Sequence, residues 1–319
     1  MPTAPLVTVV ITTYNQERYI RQAIDSVLAQ KTDFDFEVYI TEDCGTDGTR
    51  AILREYAARF PERIRLNLRD KNVGISRNWY EGLCAARGSF VCTLEGDDWW
   101  RDDRKLQKHA DFLRAHPEYL AVSHTLLLTD DAGNTYGTLP DDERILNADA
   151  TMALFLRGVT YSCTACMVRN IFQTPDPARE AYVTANRSIA DFALCMLYLD
   201  GGRVFVMDDA MSAYRVSGGD PAHQNYNTRA SAVKKYADFL DVVLASKGYF
   251  GRRYPFTRCL LAGTFYPLID RIKYGGLGPF AKEMGRLPAA AKLALPFYFA
   301  GRCLRLVWGK FFGKKEAKA

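Results

Sequence analysis

Three carboxylates in four positions, Glu95-Gly96-Asp97-Asp98, stand at the end of the apolar run Phe90-Val91-Cys92-Thr93-Leu94, and Trp99-Trp100 follows. Acids this close repel one another, so each raises the cost of ionising the next. A solvated turn tolerates such a cluster, but a hard divalent cation neutralises it better. Mg²⁺ and Mn²⁺ take carboxylate oxygens together with a substrate's phosphates. Gly96 lets the backbone turn sharply and approach a ligand. A strand ending in an acid–glycine–acid turn is therefore a candidate clamp for a metal and a diphosphate. The alternative is an ordinary polar turn, and the rest of the N-terminal half bears on the choice.

The elements that position this turn are regular. Leu6 to Thr12 is a continuous β-branched run, as expected of a central parallel strand buried on both faces. The loop Thr13-Tyr14-Asn15 follows, then a helix with Ile20, Ala23, Ile24, Val27 and Leu28 on one face. Phe36 to Thr41 is a second strand, and it too ends in acids, Glu42-Asp43-Cys44-Gly45. A helix carrying Ile52, Leu53, Tyr56 and Phe60, a strand from Ile64 to Leu68, the turn Lys71-Asn72-Val73-Gly74 and a helix from about Ile75 lead back to Phe90. Such alternation predicts an α/β fold with a mostly parallel sheet. Ligands of such sheets bind beyond the carboxyl ends of the strands. Thr13-Tyr14-Asn15, Glu42-Asp43 and Glu95-Gly96-Asp97-Asp98 would converge there on one acid-lined crevice. No Gly-x-Gly-x-x-Gly follows the first strand and no phosphate-loop Gly-Lys-Ser/Thr is present, which disfavours nicotinamide and Walker-type chemistry.

Composition narrows the class. Of the 319 residues, 48% are hydrophobic and 25% charged, an ordinary globular balance, and a net charge of +5 is too small to suggest nucleic acid. The eight cysteines lie mostly in apolar segments, which suits reduced thiols and a cytoplasmic setting. Cys163-Thr164-Ala165-Cys166 has no second pair for zinc. No secretory signal and no spanning helix are expected.

In order, Val7 to Asn15, Ser26-Val27-Leu28-Ala29-Gln30, Glu42 to Thr49, Lys71-Asn72-Val73-Gly74 and Glu95 to Trp100 resemble the ordered motifs of family 2 glycosyltransferases. The resemblance covers roughly residues 5–220 and is nearest to bacterial members that build surface polysaccharides. It implies the GT-A fold, a Rossmann-like nucleotide-sugar-binding domain, here expected over 1–227. It implies that Thr12 and Tyr14 line the base pocket and that Asp43 meets a uracil or thymine base. It places Glu95 at the ribose and Asp97 on a Mn²⁺ or Mg²⁺ ion bridging the diphosphate. Glu95 and the Glu42-Asp43-Cys44-Gly45 turn depart from the family's usual Asp-x-Asp and Asp-Asp-Gly-Ser. Asp98, Trp99, Trp100 and Thr164 are acceptor-side candidates, with turn geometry, packing and a plain strand position as their alternatives.

Asp191 opens the apolar helix that begins at Phe192. It is either an acid favoured by the helix dipole or, as the resemblance implies, the base that takes the acceptor's proton in an inverting transfer. In Tyr214-Arg215-Val216-Ser217-Gly218-Gly219 the resemblance implies an Arg215 contact with phosphate and a glycine lid, with Ser217 where His is common and His223 nearby. Tyr161 to Val168 reads as a strand, and Asp130 and Asp131 as solvent-facing turn acids. From 228 to 319 a helical extension is expected. Its last segment, Ala289 to Phe312, is interrupted by Pro296 and mixes Leu293, Phe297 and Trp308 with Lys292, Arg302, Arg305 and Lys310. Lys314, Lys315 and Lys318 trail it. A basic, aromatic end of this kind suits an anionic membrane surface, the inner face of the plasma membrane, and a saccharide acceptor on a polyprenyl diphosphate. The rival readings are a nucleotidyltransferase, for which Thr12-Thr13-Tyr14-Asn15-Gln16 lacks a basic triphosphate loop, and an inactive nucleotide-sugar-binding or membrane scaffold protein.

Overall fold

The computed structural model describes residues 5–216, 226, 230–275 and 277–312. Ser217, Gly218, Gly219, His223 and the lysines after 312 lie outside the described residues. The chain divides into two units, Met1–Phe155 with Val159–Ala230, and Leu156–Gly158 with Ser231–Ala319.

The first unit alternates strand and helix from its start. It runs β1 (Val7–Thr13), α1 (Ile20–Leu28), β2 (Phe36–Glu42), α2 (Thr49–Arg59), β3 (Ile64–Leu68), α3 (Ile75–Cys84) and β4 (Phe90–Glu95). Then come β5 (Trp99–Trp100), α4 (Lys105–Ala115), β6 (Tyr119–Thr129), β7 (Thr135–Leu139), β8 (Ala148–Ala150) and α5 (Met152–Phe155). The unit closes with β9 (Met167–Arg169), α6 (Pro177–Val183), α7 (Asp191–Gly201) and β10 (Arg203–Arg215). The sheet order is β3-β2-β1-β4-β9-β6-β10-β5, with β7 beside β6 and β8 beside β10. Strands β1 to β4 are parallel, and β9 is the reversed strand that joins them to the parallel pair β6 and β10.

Strand β1 is buried at every position, as a strand covered on both faces must be. Side chains alternate across it. Val7, Val9 and Ile11 join Phe36, Val38, Ile40, Cys92 and Leu94 in one core with Ile20, Ile24, Leu53, Leu106 and Leu113 from α1, α2 and α4. Thr12, of the opposite parity, accepts a hydrogen bond from Trp79 Nε1 of α3 at 2.5 Å. Register places Thr12 beside Glu95 and Thr13 beside Glu42, so both acidic strand ends flank the end of β1.

Two local expectations fail. The strand expected from Tyr161 shrinks to Met167–Arg169. Before it, the Cys166 N–H donates to the Cys163 carbonyl and the Ala165 N–H to that of Ser162, a turn that the Ser162 and Thr164 hydroxyls reinforce at 2.7 Å. In the second unit, helices α8 (Ala232–Phe250), α9 (Phe256–Tyr274), α10 (Leu277–Met284) and α11 (Ala289–Phe312) follow one another, and α11 runs through Pro296. A proline removes one ladder bond and bends a helix, but neighbouring turns can carry it. Tyr236, Leu240, Val243, Leu260, Phe265 and Phe280 form this unit's interior.

Ile11→Ala is expected to lower the first unit's unfolding free energy in urea by about 2–5 kcal/mol, the cost of a buried cavity. Tyr136→Ala, at a side chain 60% exposed on β7, should change it by less than about 0.5 kcal/mol.

Candidate active site

The end of β4 is fixed by backbone bonds. The Gly96 N–H donates to the Thr12 carbonyl at 2.9 Å, and the Asp98 N–H closes the turn on the Glu95 carbonyl at 3.0 Å. Space over Gly96 is tight, and a side chain there would push its neighbours aside. A Cβ there would lie 2.5 Å from Gln16 Oε1 and 2.9 Å from Thr13 Oγ1. Those two oxygens and Asp97 Oδ1 are buried and have no hydrogen-bond partner in the protein. Buried polar atoms are rarely left so. Three orphaned oxygens around one glycine turn make a cradle for a cationic or hydrogen-bonding ligand.

The electrostatics gather more acids here than the turn alone supplies. Burial, and then the charges of Asp97, Asp98 and Asp191, push the Glu95 carboxyl well above its usual range. Asp98 is pushed well up by burial and by Asp97 and Asp191, against Arg215. Burial raises Asp97 to about 6, against its own backbone N–H, Arg215 and Gln16. Asp191, at the first position of α7, is an exposed residue, yet the protein crowding its carboxyl raises it, against its own backbone N–H. Asp191 is thus near enough for its charge to act on Glu95 and Asp98. Burial and all four of these acids also hold the Tyr214 phenol far above its ordinary range, so it stays a neutral donor among them. Asp191 reaches the Cys163-Thr164 turn too: burial, the Cys195 thiol and the Asp191 carboxylate raise the Cys163 thiol.

The remaining expected residues divide. Tyr14 is 42% exposed in the loop after β1, and the neighbouring Asn15 side chain accepts the Thr46 N–H at 2.7 Å, tying this loop to the one after β2. Asp43 is buried, and its two carboxylate oxygens accept the Val73 and Gly74 N–H groups at 2.7 and 2.8 Å. Each oxygen keeps a lone pair for a further donor. Glu42 turns back on its own loop, where it accepts the Cys44 N–H at 3.2 Å and pairs with Arg50 at 2.5 Å. Trp100, expected on the acceptor side, is instead a core residue beneath which Lys105 Nζ lies 4.0 Å from the ring centroid.

Arg215 is the main correction. Its Nε donates to the Asp97 carbonyl at 3.0 Å, Nη1 to the Asp131 carbonyl at 2.9 Å and Nη2 to Gln22 Oε1 at 2.8 Å. The Tyr19 and Trp99 rings lie 4.4 and 4.6 Å from its guanidinium carbon. Its backbone N–H donates to Asp98 Oδ1 at 2.8 Å. Edges and faces are thus committed to the protein, and Arg215 pins the acid turn from below rather than offering a fork to phosphate. The sequence reading missed this, and it missed Asp131, which also accepts the Tyr19 hydroxyl at 3.0 Å. Strand alternation along β10 held one unused clue: adjacent Tyr214 and Arg215 must face opposite sides.

Comparison with known proteins gives the family and the fold. The family profile described as "Glycosyl transferase family 2" matches residues 8–171. The chain belongs to that family. An uncharacterized protein of Mycobacterium tuberculosis is 34% identical over 228 residues, 69% of this chain, and the match spans 62% of the relative. Two solved structures share the fold: S. aureus TarS 1–349 in complex with UDP-GlcNAc (TM-score 0.54, 19% identity, 92% of this chain and 79% of that one) and a Pyrobaculum calidifontis mannosyltransferase in complex with GDP-Man and Mn²⁺ (TM-score 0.51, 17% identity, 97% and 89%). The GT-A class of α/β fold is therefore shown, with helices in the C-terminal region. Among the described residues no group of three or more His, Cys, Asp or Glu side chains is placed to cage a metal by itself.

Arg215→Met is expected to destabilise the first unit by about 2–4 kcal/mol, because it orphans several buried acceptors at once. Urea unfolding measures this. Unchanged stability with lost nucleotide binding would return Arg215 to the diphosphate.

Proposed function

We propose that this glycosyltransferase moves a sugar, with inversion and with help from a divalent metal, from a nucleotide-sugar donor to a saccharide hydroxyl. The observation that carries the reading is the unpaired, buried Asp97 oxygen in the turn after β4, with Asp191 near enough for its charge to act on Glu95 and Asp98 in the same turn. Mg²⁺ and Mn²⁺ are commonly bound by one or two carboxylates plus substrate phosphates, so the lack of an all-protein cage fits this donor set. Asp97 would hold the ion, with Thr13 and Gln16 as neighbouring oxygens. Bound there, the metal supplies counter-charge to the departing nucleoside diphosphate. The Mn²⁺ in the Pyrobaculum structure supports the same chemistry.

The chain's own residues divide the rest. Asp43 has lone pairs left for the N3–H of uracil or thymine, which favours a UDP- or dTDP-sugar, and Tyr14 offers an exposed ring for the base. Thr12 holds Trp79 beneath that pocket, and Glu95 faces the ribose. Asp191, solvent-open, takes the proton of the acceptor hydroxyl as the hydroxyl attacks the anomeric carbon. A carboxyl raised above its usual range is the better base near neutral pH. Asp98 and Trp99 shape the floor, and Thr164 with Ser162 borders the acceptor side.

The acceptor we assign is a saccharide carried on a polyprenyl diphosphate, in surface polysaccharide assembly on the inner face of the plasma membrane. Support comes from the second unit's surface. Leu293 and Phe297 on α11 are 75% and 81% exposed, Ile272 on α9 is 57% exposed, and exposed Lys273, Lys282 and Lys292 lie near them in sequence. No described helix is long and apolar enough to cross a membrane. An apolar, basic surface of this kind lies on anionic lipid.

Nucleoside diphosphate release from UDP-, dTDP- and GDP-sugars with Mn²⁺ tests the chemistry. Asp191→Asn should lower turnover by about 10²-fold or more while nucleotide binding persists. Asp97→Asn and EDTA should each abolish metal-dependent binding. Binding that survives both would overturn the Asp97 assignment, and intact binding with no turnover on any donor or acceptor would favour the scaffold. For the membrane surface, Phe297→Glu should reduce co-sedimentation with phosphatidylglycerol vesicles about tenfold or more. Equal binding to neutral and anionic vesicles, unchanged by the substitution, would sink that assignment.

A further inference from the structure

Arg187 lies where two loops meet, and the chemistry above does not use it. On one side is the turn Lys71-Asn72-Val73-Gly74, which Asp43 holds by two backbone N–H groups. The Asn72 amide also donates to the Asp43 carbonyl at 2.9 Å. From the other side Arg187 grips the same turn. Its Nη2 donates to the Asn72 carbonyl at 3.0 Å and to the Asn72 side-chain oxygen. The backbones approach as well. The Ser76 N–H points at the Arg187 carbonyl at 3.5 Å. Gly74 has φ +92°, and a Cβ on it would lie 2.3 Å from Arg187 Cγ.

Arg187 is followed by Ser188, Ile189, Ala190 and then Asp191. Asn186 Oδ1 accepts the Ser188 and Ile189 N–H groups at 2.8 and 3.1 Å, which closes this short segment. Few soft torsions therefore separate Arg187 from the start of α7. Asp191 needs such a tether. Its carboxylate repels those of Glu95 and Asp98, and the residue at the helix cap, Ala190, has no side chain that could tie the start of α7 down.

We infer that Arg187 is a positioning residue: through Asn72 and Gly74 it couples the turn held by Asp43, at the nucleoside end, to the segment that carries Asp191. Filling the nucleoside end thereby steadies the base at the acceptor end. The inference rests on the transferase reading for the word base, but the mechanical coupling does not need it.

The test uses the full chain and has two readouts. In hydrogen–deuterium exchange without any ligand, Arg187→Ala should speed exchange of the amides of 186–191 about tenfold, the scale of a lost charged hydrogen bond, and leave β1 and α2 unchanged. Arg187→Lys, which keeps a cationic donor one bond shorter, should restore part of the protection. Asn72→Ala should loosen the same segment and add little in the Arg187→Ala background. With UDP-, dTDP- and GDP-sugars and Mn²⁺, Arg187→Ala should lower kcat about tenfold and shift the donor KM less than about threefold. Unchanged exchange at 186–191, a domain-wide increase that lysine does not rescue, or additive effects of Asn72→Ala and Arg187→Ala would overturn the coupling. The expected exchange pattern in a protein that binds and turns over none of the donors would uphold the coupling and overturn the transferase reading instead.

Discussion

Like-charge repulsion is the constraint around which the first unit is built. Burial raises the carboxyls of Glu95, Asp97, Asp98 and Asp191, and the charges of Asp97 and Asp191 add to the cost at Glu95 and Asp98. An unconstrained chain would part them. The fold keeps them together with forces that do not depend on their charge. β1 and β4 fix Glu95 beside Thr12, Gly96 turns where the Gln16, Ile20 and Thr13 side chains crowd in, and α7 delivers Asp191 from more than ninety residues away in sequence. The site thus enters its working state with a deficit of positive charge, which a metal and a donor can relieve.

Arg215 shows how little of that deficit the protein cancels itself. Its guanidinium charge opposes the rise of the Asp97 and Asp98 carboxyls, while its Nε, Nη1 and Nη2 donate to two carbonyls and an amide oxygen. An Arg paired directly with Asp97 would occupy the oxygen that stays unpaired. A place over both the Tyr19 and Trp99 rings suits Arg better than Lys, since the guanidinium is weakly hydrated and flat. The arrangement stiffens the turn and leaves its ligating edge open.

Of the first four strands, β1, β2 and β4 were legible as largely apolar runs closed by polar residues and β3 by its alternation of apolar and polar residues, and sequential strand–helix units leave few topologies. The acids at the ends of β2 and β4 could be placed by the same logic. What escaped was set by distant contacts. Gln22 and Arg215 are separated by 193 positions, so no local pattern announces their bond. Trp99 and Trp100 look alike in sequence, and only pairing with β10 decides that one stacks on Arg215 while the other enters the core. The apolar run before Met167 fits a strand by composition, but the Ser162 and Thr164 hydroxyls offer the backbone a competing turn. Arg187, an exposed arginine in a polar loop, carries no signal until Gly74 is seen against it.

The most direct test of the account is the anomalous scattering of Mn²⁺ in crystals soaked with a nucleoside diphosphate. The account predicts a peak within about 2.0–2.3 Å of Asp97 Oδ1, the distance of a hard cation from a carboxylate oxygen, with the remaining positions filled by diphosphate oxygens and water. A bound nucleotide with no peak there, or with the ion held by other side chains, would contradict it.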